Sequence, residues 1–223
     1  MKTIVVPDVK KNDLYLKSCV IEKGKVYAHT RSYVLWKTIN RRVSSEKVHS
    51  VFPNYKKSRV DFESFQEFAE WCNNQYGYMN KEDNGNYWSI EKDLTAGGVY
   101  NEKCLFVPNF VNACVLDSLK IRGGLPLGVV YRKKNKDMIN ELKSCYLSNI
   151  KKDGKLQHLG YFTSPKDAHR SWQKSKVEII REYASREVVK SHIKLKNRLL
   201  EIARNIEIDY INGLETKEIL CLK

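Results

Sequence analysis

Alternating apolar and polar positions predict three short strands between residues 128 and 162. The segments are GVVYRKK, KSCYLSNIK and LQHLGYF, and Asp153-Gly154 between the last two is a strong signal for a two-residue hairpin. Ser164 and the proline after it are typical of a helix start, and apolar residues then follow at helical spacing as far as Tyr183. The pattern predicts a three-stranded antiparallel sheet with one helix packed on it.

Helical spacing also marks two segments in the first half of the chain. They are SYVLWKTINRRV, which begins at Ser32, and DFESFQEFAEWCNNQYGY, for which Asp61 is the expected N-cap. The apolar stripe of the second segment is interpreted as core packing. Residues 44–58, between the two helices, are predicted to form a basic loop.

A strand, a glycine turn, a second strand and a helix follow in the order of a ββα unit. The first strand is expected from Tyr87 to Ile90, the turn at Gly97-Gly98, and the second strand from Cys104 to Val107. The helix is expected to begin at Pro108 or Asn109. This part of the chain carries candidate chemistry, because acidic side chains follow directly where the first strand ends.

Glu91, Asp93 and Asn112 are the candidate ligands of a divalent metal ion at this unit. An acid at the end of the first strand and an asparagine on the helix can meet around one ion, and their oxygens suit Mg²⁺ or Mn²⁺. Such an ion beside a phosphodiester neutralises developing charge and holds the leaving oxygen. Lys92, between the acids, is a candidate for contact with the phosphate. The alternatives are a solvated strand end for the acids and a surface amide for Asn112.

Charge and composition favour a nucleic-acid partner. The 223 residues include 40 Lys and Arg against 26 Asp and Glu, a formal net charge of +14, which favours a polyanion. There is no apolar run of about 18 residues, so no membrane span is expected. The six cysteines form no Cys-x-x-Cys pair, which argues against a zinc site or a disulfide framework and fits a reducing cytoplasm.

The segment from Gly128 to Ala184 resembles an AP2 domain, the DNA-binding module of plant transcription factors and of many phage endonucleases. The resemblance rests on Gly128-Val129, Tyr146-x-Ser148-x-Ile150, His158-Leu159-Gly160-Tyr161-Phe162 and the run from Asp167 to Trp172. It implies that the outer face of the sheet lies in the major groove of DNA. Arg, Lys and Asn side chains there can reach phosphates and base edges together. The residues expected on that face are Val130, Arg132, Lys134, Asn149, Lys151 and His158.

The first half of the chain resembles the HNH-type, or ββα-metal, endonucleases of bacteriophages, many of which are homing enzymes with an AP2 domain downstream. The matching positions are Tyr33-x-x-Trp36, Val60-x-x-Glu63-x-Phe65-x-x-Phe68-x-x-Trp71, Ile90-Glu91-Lys92-Asp93 and Tyr100-x-x-x-Cys104-x-Phe106-Val107-Pro108-x-x-Val111-Asn112. The resemblance implies a metal-dependent nuclease whose active site contains Glu91, Lys92, Asp93 and Asn112.

The chain departs from this family at two positions that matter for catalysis. Glu91 stands where the family commonly has Asp, and its extra methylene moves the carboxylate by roughly 1 Å or more, enough to misplace a metal ion. No histidine lies between His49 and His158, so Lys92 occupies the neighbourhood of the usual general base. Lysine is a poor base unless its pKa is strongly lowered.

Two other functions therefore stand beside a working endonuclease. The first is a non-catalytic DNA-binding protein, such as a repressor or occluding factor derived from a nuclease. The second is an RNA-binding accessory protein, which net charge alone supports. For the AP2-like segment itself, the alternative is a small α+β domain with a solvated basic face.

The predicted fold is α+β and has four parts. Residues 1–117 are an HNH-like nuclease module with N-terminal strands, 118–127 a linker, 128–184 the AP2-like domain, and 185–223 a helical C-terminal extension. The expected activity is site-specific hydrolysis of DNA phosphodiester bonds with Mg²⁺ or Mn²⁺ and no small-molecule cofactor. The expected partner is double-stranded DNA, with Arg41 and Arg42 as further contacts and no membrane. The expected location is the cytoplasm, that of a host cell if the gene is phage-borne.

Overall fold

The computed structural model is α+β and describes residues 4–6, 19–23, 25–116, 123–132 and 145–220. The chain divides into two compact units, Met1–Pro108 and Asn109–Lys223. The predicted α+β class is therefore confirmed, whereas the identity of the modules stays a prediction. Lys134 and the first linker residues, 118–122, lie outside the described residues.

Short strands and three α-helices form the described part of the first unit. Strand β1 (Ile4–Val6) pairs parallel with β3 (Lys25–Thr30), and β2 (Cys19–Glu22) pairs antiparallel with β3. Strand β4 (Arg59–Val60) pairs parallel with β6 (Val99–Tyr100), and β5 (Ser89–Glu91) pairs antiparallel with β7 (Leu105–Val107). The helices are α1 (Arg31–Ser44), α2 (Glu46–Val51) and α3 (Phe65–Asn73), and a 3₁₀ helix spans Pro53–Lys57.

An aromatic core holds these elements together. Ile39 of α1, Phe68 of α3 and Phe106 of β7 are fully buried and belong to one cluster with Tyr78 and Trp88. The apolar side of α3 faces this cluster, so its interpretation as core packing is confirmed.

The prediction of a basic loop over residues 44–58 is wrong. Helix α2 and the 3₁₀ helix occupy most of this segment. Helix α2 begins where it does because the Ser45 hydroxyl accepts a hydrogen bond from the Val48 amide and so caps the first turn.

Asp61 is not the N-cap of α3, which begins at Phe65, three residues later than a cap at Asp61 would place it. Ser64 is the cap: its hydroxyl accepts from the Glu67 amide at 3.1 Å, and the Glu67 carboxylate accepts from the Glu63 amide at 2.6 Å. Asp61 instead forms an ion pair with Arg59 at 2.8 Å, next to β4. Ser64 is favoured over Asp61 as the N-cap because the residue three positions after Ser64 is Glu67, which completes a capping box.

The predicted order of strand, turn, strand and helix is confirmed. Glu91 of β5 lies opposite Leu105 of β7, and Gly97 and Gly98 both adopt positive φ angles, 60° and 88°, in the turn between them. Helix α4 (Asn109–Val115) follows β7 directly in the chain and belongs to the second unit.

The second unit contains the predicted antiparallel sheet and its helix. The sheet is formed by β8 (Val129–Arg132), β9 (Cys145–Lys152) and β10 (Lys155–Phe162), with β9 in the centre. Asp153 and Gly154, with φ angles of 50° and 75°, form the hairpin turn as predicted. Helix α5 (Pro165–Ser185) follows, capped by the Ser164 hydroxyl, which accepts from the Lys166 amide.

One face of the sheet is buried against α5. Val129, Ser148 and Ile150 lie on that face, and Trp172 of α5 is buried with them. Gly128 adopts a φ of +76°, and a Cβ atom at this position would lie 1.9 Å from Cδ1 of Trp172. Only glycine allows the chain to pass so close to the indole ring.

His169 connects α5 to two segments that are distant in sequence. Its Nδ1 lies 2.8 Å from the Leu127 carbonyl oxygen, and its Nε2 accepts from the Thr216 amide at 3.0 Å. Because Nε2 accepts, the ring proton is on Nδ1 and the buried histidine is neutral. The chain before β8 and the chain after the last helix are thus fixed to the same side chain.

The C-terminal extension is helical only in part, which corrects the prediction for residues 185–223. Helices α6 (Glu187–Lys190) and α7 (Ile193–Ile211) are separated by a break at Ser191 and His192. No helix continues from Asn212 to residue 220, the end of the described chain. Thr216 and Ile219 of this last segment are nevertheless buried.

Replacing Gly128 by Ala is expected to lower the free energy of unfolding of the second unit by about 3–5 kcal/mol. The cause is the clash with Trp172 added to the strain of a positive φ angle. Chemical denaturation followed by tryptophan fluorescence measures the change. Gly154→Ala is the matched control, because φ is +75° there and nothing lies within 4 Å of the added Cβ atom. It is expected to cost about 1–2 kcal/mol, and equal losses in the two variants would contradict the proposed clash.

Candidate functional site

The strand register places the predicted DNA-binding residues on the sheet face that points away from α5. Neighbours on paired strands share a face, and Val130 pairs with Leu147, whereas the adjacent pair of Val129 and Ser148 is buried. Asn149 pairs with His158 on the same side as Leu147. We refer to this side as the outer sheet face; its described members from the prediction are Val130, Arg132, Asn149, Lys151 and His158.

A β-bulge in β10 adds Tyr161 to the outer sheet face. His158 pairs with Asn149 and Gly160 pairs with Ser148, so Leu159 is an extra residue. Tyr161 therefore lies on the same side as His158, and their rings are 4.5 Å apart. Strict alternation counted from His158 places Tyr161 on the opposite side, which is why the sequence pattern did not identify it.

Hydrogen bonds fix several side chains of the outer sheet face before any ligand is present. Arg132 donates from Nη1 to the Tyr161 hydroxyl at 3.1 Å, across the width of the sheet. His158 Nδ1 lies 3.2 Å from Asn149 Oδ1 and donates to it, because an amide oxygen can only accept. Arginine and asparagine are the side chains best suited to bidentate contacts with base edges, and both are held in place here.

The acidic turn that follows β5 is closely packed. Glu91 is 6 % exposed, and its Oε1 accepts from the Asp93 amide at 2.6 Å. Burial raises the pKa of this carboxyl group above its ordinary value. The Glu91 side chain thus stabilises the turn itself, which the sequence pattern did not predict.

Lys92 is also buried, at 6 % exposure, and forms an ion pair within the same turn. Its ammonium group donates to Asp93 Oδ1 at 2.6 Å and lies 5.6 Å from the centre of the Tyr55 ring and 5.8 Å from that of Tyr100. The aromatic faces attract the charge. The position that a catalytic ion would take beside Asp93 is next to an ammonium group.

Arg42 lies in the same cluster, whereas Arg41 does not. Arg42 donates from Nη1 to the Tyr100 hydroxyl at 3.3 Å, and its guanidinium carbon lies 5.3 Å from the centre of the Tyr55 ring. Burial raises the pKa of the Tyr100 hydroxyl to about 12, so this group stays protonated. Arg41 is exposed in the last turn of α1. Tyr55 and Tyr100 were not predicted to belong to this cluster, because contacts between residues that are distant in sequence leave no local pattern.

Asn112, the third candidate ligand, lies on α4 in the second unit. Its Oδ1 is buried and has no hydrogen-bond partner among the described residues. A buried amide oxygen without a partner is an acceptor that a ligand or a water molecule can satisfy. The structure thus brings Glu91, Lys92 and Asp93 together in the first unit, and Asn112 belongs to the other.

The acidic side chains of the turn fit a divalent ion, with one obstacle. Carboxylate oxygens are suitable ligands for such an ion. An ion at Asp93 would, however, have to displace the Lys92 ammonium group. Within the described residues, no three His, Cys, Asp or Glu side chains lie together as a metal site.

The cysteines do not contribute to a site in the described part of the chain. Cys72, Cys104 and Cys114 are buried thiols outside any disulfide bond. Burial raises the pKa of Cys104 to about 12, and its thiol donates to the Val99 carbonyl oxygen. None of the described helices is long and apolar enough to cross a membrane.

Comparison with known proteins gave no match: no protein-family model, no curated protein and no solved structure matches this chain. The resemblances to HNH endonucleases and to AP2 domains therefore rest on the residues quoted above alone.

Replacing Lys92 by Met is expected to increase the affinity of the first unit for Mn²⁺. The variant keeps an unbranched side chain that is one atom shorter and removes the ammonium group that competes for Asp93. At an ion concentration ten times the dissociation constant, binding stabilises the fold by about 1.4 kcal/mol, measurable as a rise in Tm. Lys56→Met, which removes an exposed ammonium group from the same unit, should leave the metal dependence of Tm unchanged. Equal metal dependence in wild type and Lys92→Met would contradict the competition.

Proposed function

We propose that this protein is a site-specific DNA endonuclease of the HNH type, in which the sheet of the second unit binds duplex DNA. The observation that carries the proposal is the outer sheet face. It displays Arg132, Asn149, Lys151 and His158 on one side of a narrow sheet whose other side is buried.

The outer sheet face has the chemistry that DNA recognition needs. A two- or three-stranded sheet is narrow enough to enter the major groove. Lys151 and Arg132 are exposed and suit phosphates or guanine, and Asn149, oriented by His158, suits adenine. The net charge of +14 supplies long-range attraction to the duplex.

The proposed catalytic centre is the turn Glu91–Asp93. A bound Mg²⁺ or Mn²⁺ ion would stabilise the charge that develops on the phosphate. Glu91 and Asp93 are the residues of the first unit proposed to hold it. Lys92 and Arg42 would place two cations beside the phosphodiester, and the protonated Tyr100 hydroxyl orients the Arg42 guanidinium.

The ion pair between Lys92 and Asp93 favours a second candidate, a DNA-binding protein without catalytic activity. In that case the ammonium group takes the structural role of the metal ion, and the first unit keeps a nuclease-like shape without cutting. Specific binding would then be independent of divalent ions and of both acids.

Substitutions on the outer sheet face are expected to weaken specific DNA binding. Arg132→Ala should cost about 1–3 kcal/mol and relax the preference for one base pair, whereas Lys151→Ala should weaken binding to all sequences and reduce the salt dependence by about one ion. The target is first selected from a pool of random duplexes, and fluorescence anisotropy at several salt concentrations then measures affinity. Lys174→Ala, on α5, is the control, since α5 packs on the opposite face of the sheet. Equal losses in all three variants would contradict binding by this face.

Cleavage is expected to require a divalent ion and both acids. Glu91→Gln and Asp93→Asn preserve side-chain size and should reduce the cleavage rate by about 100-fold or more, with affinity for the same DNA nearly unchanged. The assay uses the selected site and the DNA that flanks the gene, with Mg²⁺, with Mn²⁺ and with EDTA.

Glu102→Gln, an exposed change in the same unit, is the control for the cleavage assay and should leave the rate unchanged. Tight binding without a cut in any metal would reject the endonuclease and support the non-catalytic protein. Absence of specific binding would reject both functions.

A further inference from the structure

Two aliphatic side chains lie side by side on the outer sheet face, and the proposed function gives them no role. Val130 of β8 pairs with Leu147 of β9, and the Cβ atoms of directly paired residues on one face are about 5 Å apart. Val130 is 51 % exposed, and Leu147 is half-buried. We refer to these two residues as the aliphatic pair.

Polar and aromatic side chains lie around the aliphatic pair on the same face. Tyr161 of β10 pairs with Leu147, so it belongs to the same row across the three strands. Arg132, two residues further along β8, donates to the Tyr161 hydroxyl at 3.1 Å. Asn149, two residues further along β9, lies on the other side of the row. The aliphatic pair is therefore a small apolar area between the two side chains proposed to contact guanine and adenine.

A base edge that contacts this area must present an apolar group. Valine and leucine side chains neither donate nor accept hydrogen bonds, and a polar base atom placed against them would lose its water without gaining a partner. Among the base edges displayed in the major groove, that of thymine carries an apolar group, the C5-methyl group. The chemistry of the aliphatic pair thus matches thymine.

Charge and hydrogen bonding favour a DNA duplex as the occupant of this face. No acidic residue is among the side chains described on it, and the exposed Arg132 and Lys151 lie on opposite sides of the aliphatic pair. The net charge of +14 attracts a polyanion. After its oxygen accepts from His158, Asn149 keeps one lone pair and its amide N–H groups, which a bidentate contact with adenine requires.

We propose that the aliphatic pair determines base specificity by contacting the C5-methyl group of a thymine in the target site. The inference rests on the proposed DNA binding by the outer sheet face, and it holds whether or not the protein cuts. Leu147 and Asn149 are two residues apart, which is roughly 7 Å along a strand, and base pairs stack about 3.4 Å apart. With the strands along the groove, the thymine is expected about two base pairs from the adenine.

Replacement of thymine by deoxyuridine tests the proposal, because it removes the C5-methyl group and leaves the hydrogen-bonding edge of the base unchanged. The duplex selected from the random pool is prepared with each thymine replaced in turn, and fluorescence anisotropy measures its affinity for the full-length chain. One replacement is expected to lower the affinity about threefold to fourfold, the contribution of one buried methyl group. The other replacements should have little effect.

A variant of the aliphatic pair shows whether these two residues are responsible. Val130→Ala removes two exposed methyl groups, so it should bind the thymine duplex more weakly and should lose most of the difference between thymine and deoxyuridine. Val188→Ala is the matched control, because it makes the same change at an exposed valine of α6. It should retain the full threefold to fourfold difference.

The outcomes separate this inference from the proposed function. A selected duplex whose affinity depends on no thymine methyl group would overturn the inference, and so would a dependence that Val130→Ala retains in full. In either case, specific binding that Arg132→Ala weakens would leave DNA binding by the outer sheet face intact. If no duplex is bound specifically, the proposed function itself fails, and this inference fails with it.

Discussion

Trp172 lies directly beneath Gly128, and the second unit is built around that contact. Because the indole fills the space where a side chain would begin, the chain enters β8 in close contact with α5. The buried side of the sheet is then fixed, and the opposite side is determined by the pleat alone. Packing on the buried face of the sheet thus determines which side chains lie on the outer sheet face. His169 stacks on this tryptophan ring. Its hydrogen bonds to Leu127 and Thr216 fix the chain before β8 and the chain after α7 to the same helix.

In the first unit, the chain buries a lysine within the turn that we propose to bind a metal ion. Burying an ammonium group is unfavourable unless it is paired, and Asp93 with two aromatic rings provides the compensation. The arrangement is stable without a ligand, and it also uses one of the two acids. The two proposed functions, a working enzyme and a protein that only binds DNA, differ here by whether a metal ion displaces Lys92 from this ion pair. In the structure the ion pair is formed.

Elements with a strong local signal could be predicted from the sequence. The hairpin at Asp153-Gly154, the cap at Ser164 and the alternation in β8 and β9 each depend on neighbouring residues, and each is confirmed. The predictions fail where two local signals compete or where a feature depends on contacts between residues that are distant in sequence. Ser64 replaced Asp61 as a cap because Glu67 completes its hydrogen bonds.

The candidate site was harder to predict than the fold. Glu91, Lys92 and Asp93 are contiguous, so their proximity follows from the sequence, but the direction of each side chain does not. Tyr55 and Tyr100 approach Lys92 through tertiary packing and carry no signal in their own segments. For the described residues, the side of the sheet on which each side chain lies was predicted correctly as far as the alternation is regular, that is, up to His158.

The single extra residue in β10 has a consequence for how such a surface can evolve. Leu159 shifts the alternation by one, so that the residues after it face opposite to a regular strand. Removing Leu159 would restore regular alternation and would leave Gly160 facing inward and Tyr161 facing outward, because their partners on β9 stay the same. The bulge can therefore absorb a change of one residue in length without exchanging the two faces beyond it. The length of β10 can vary at this point, while the outer sheet face and the buried side of β8 and β9 stay as they are.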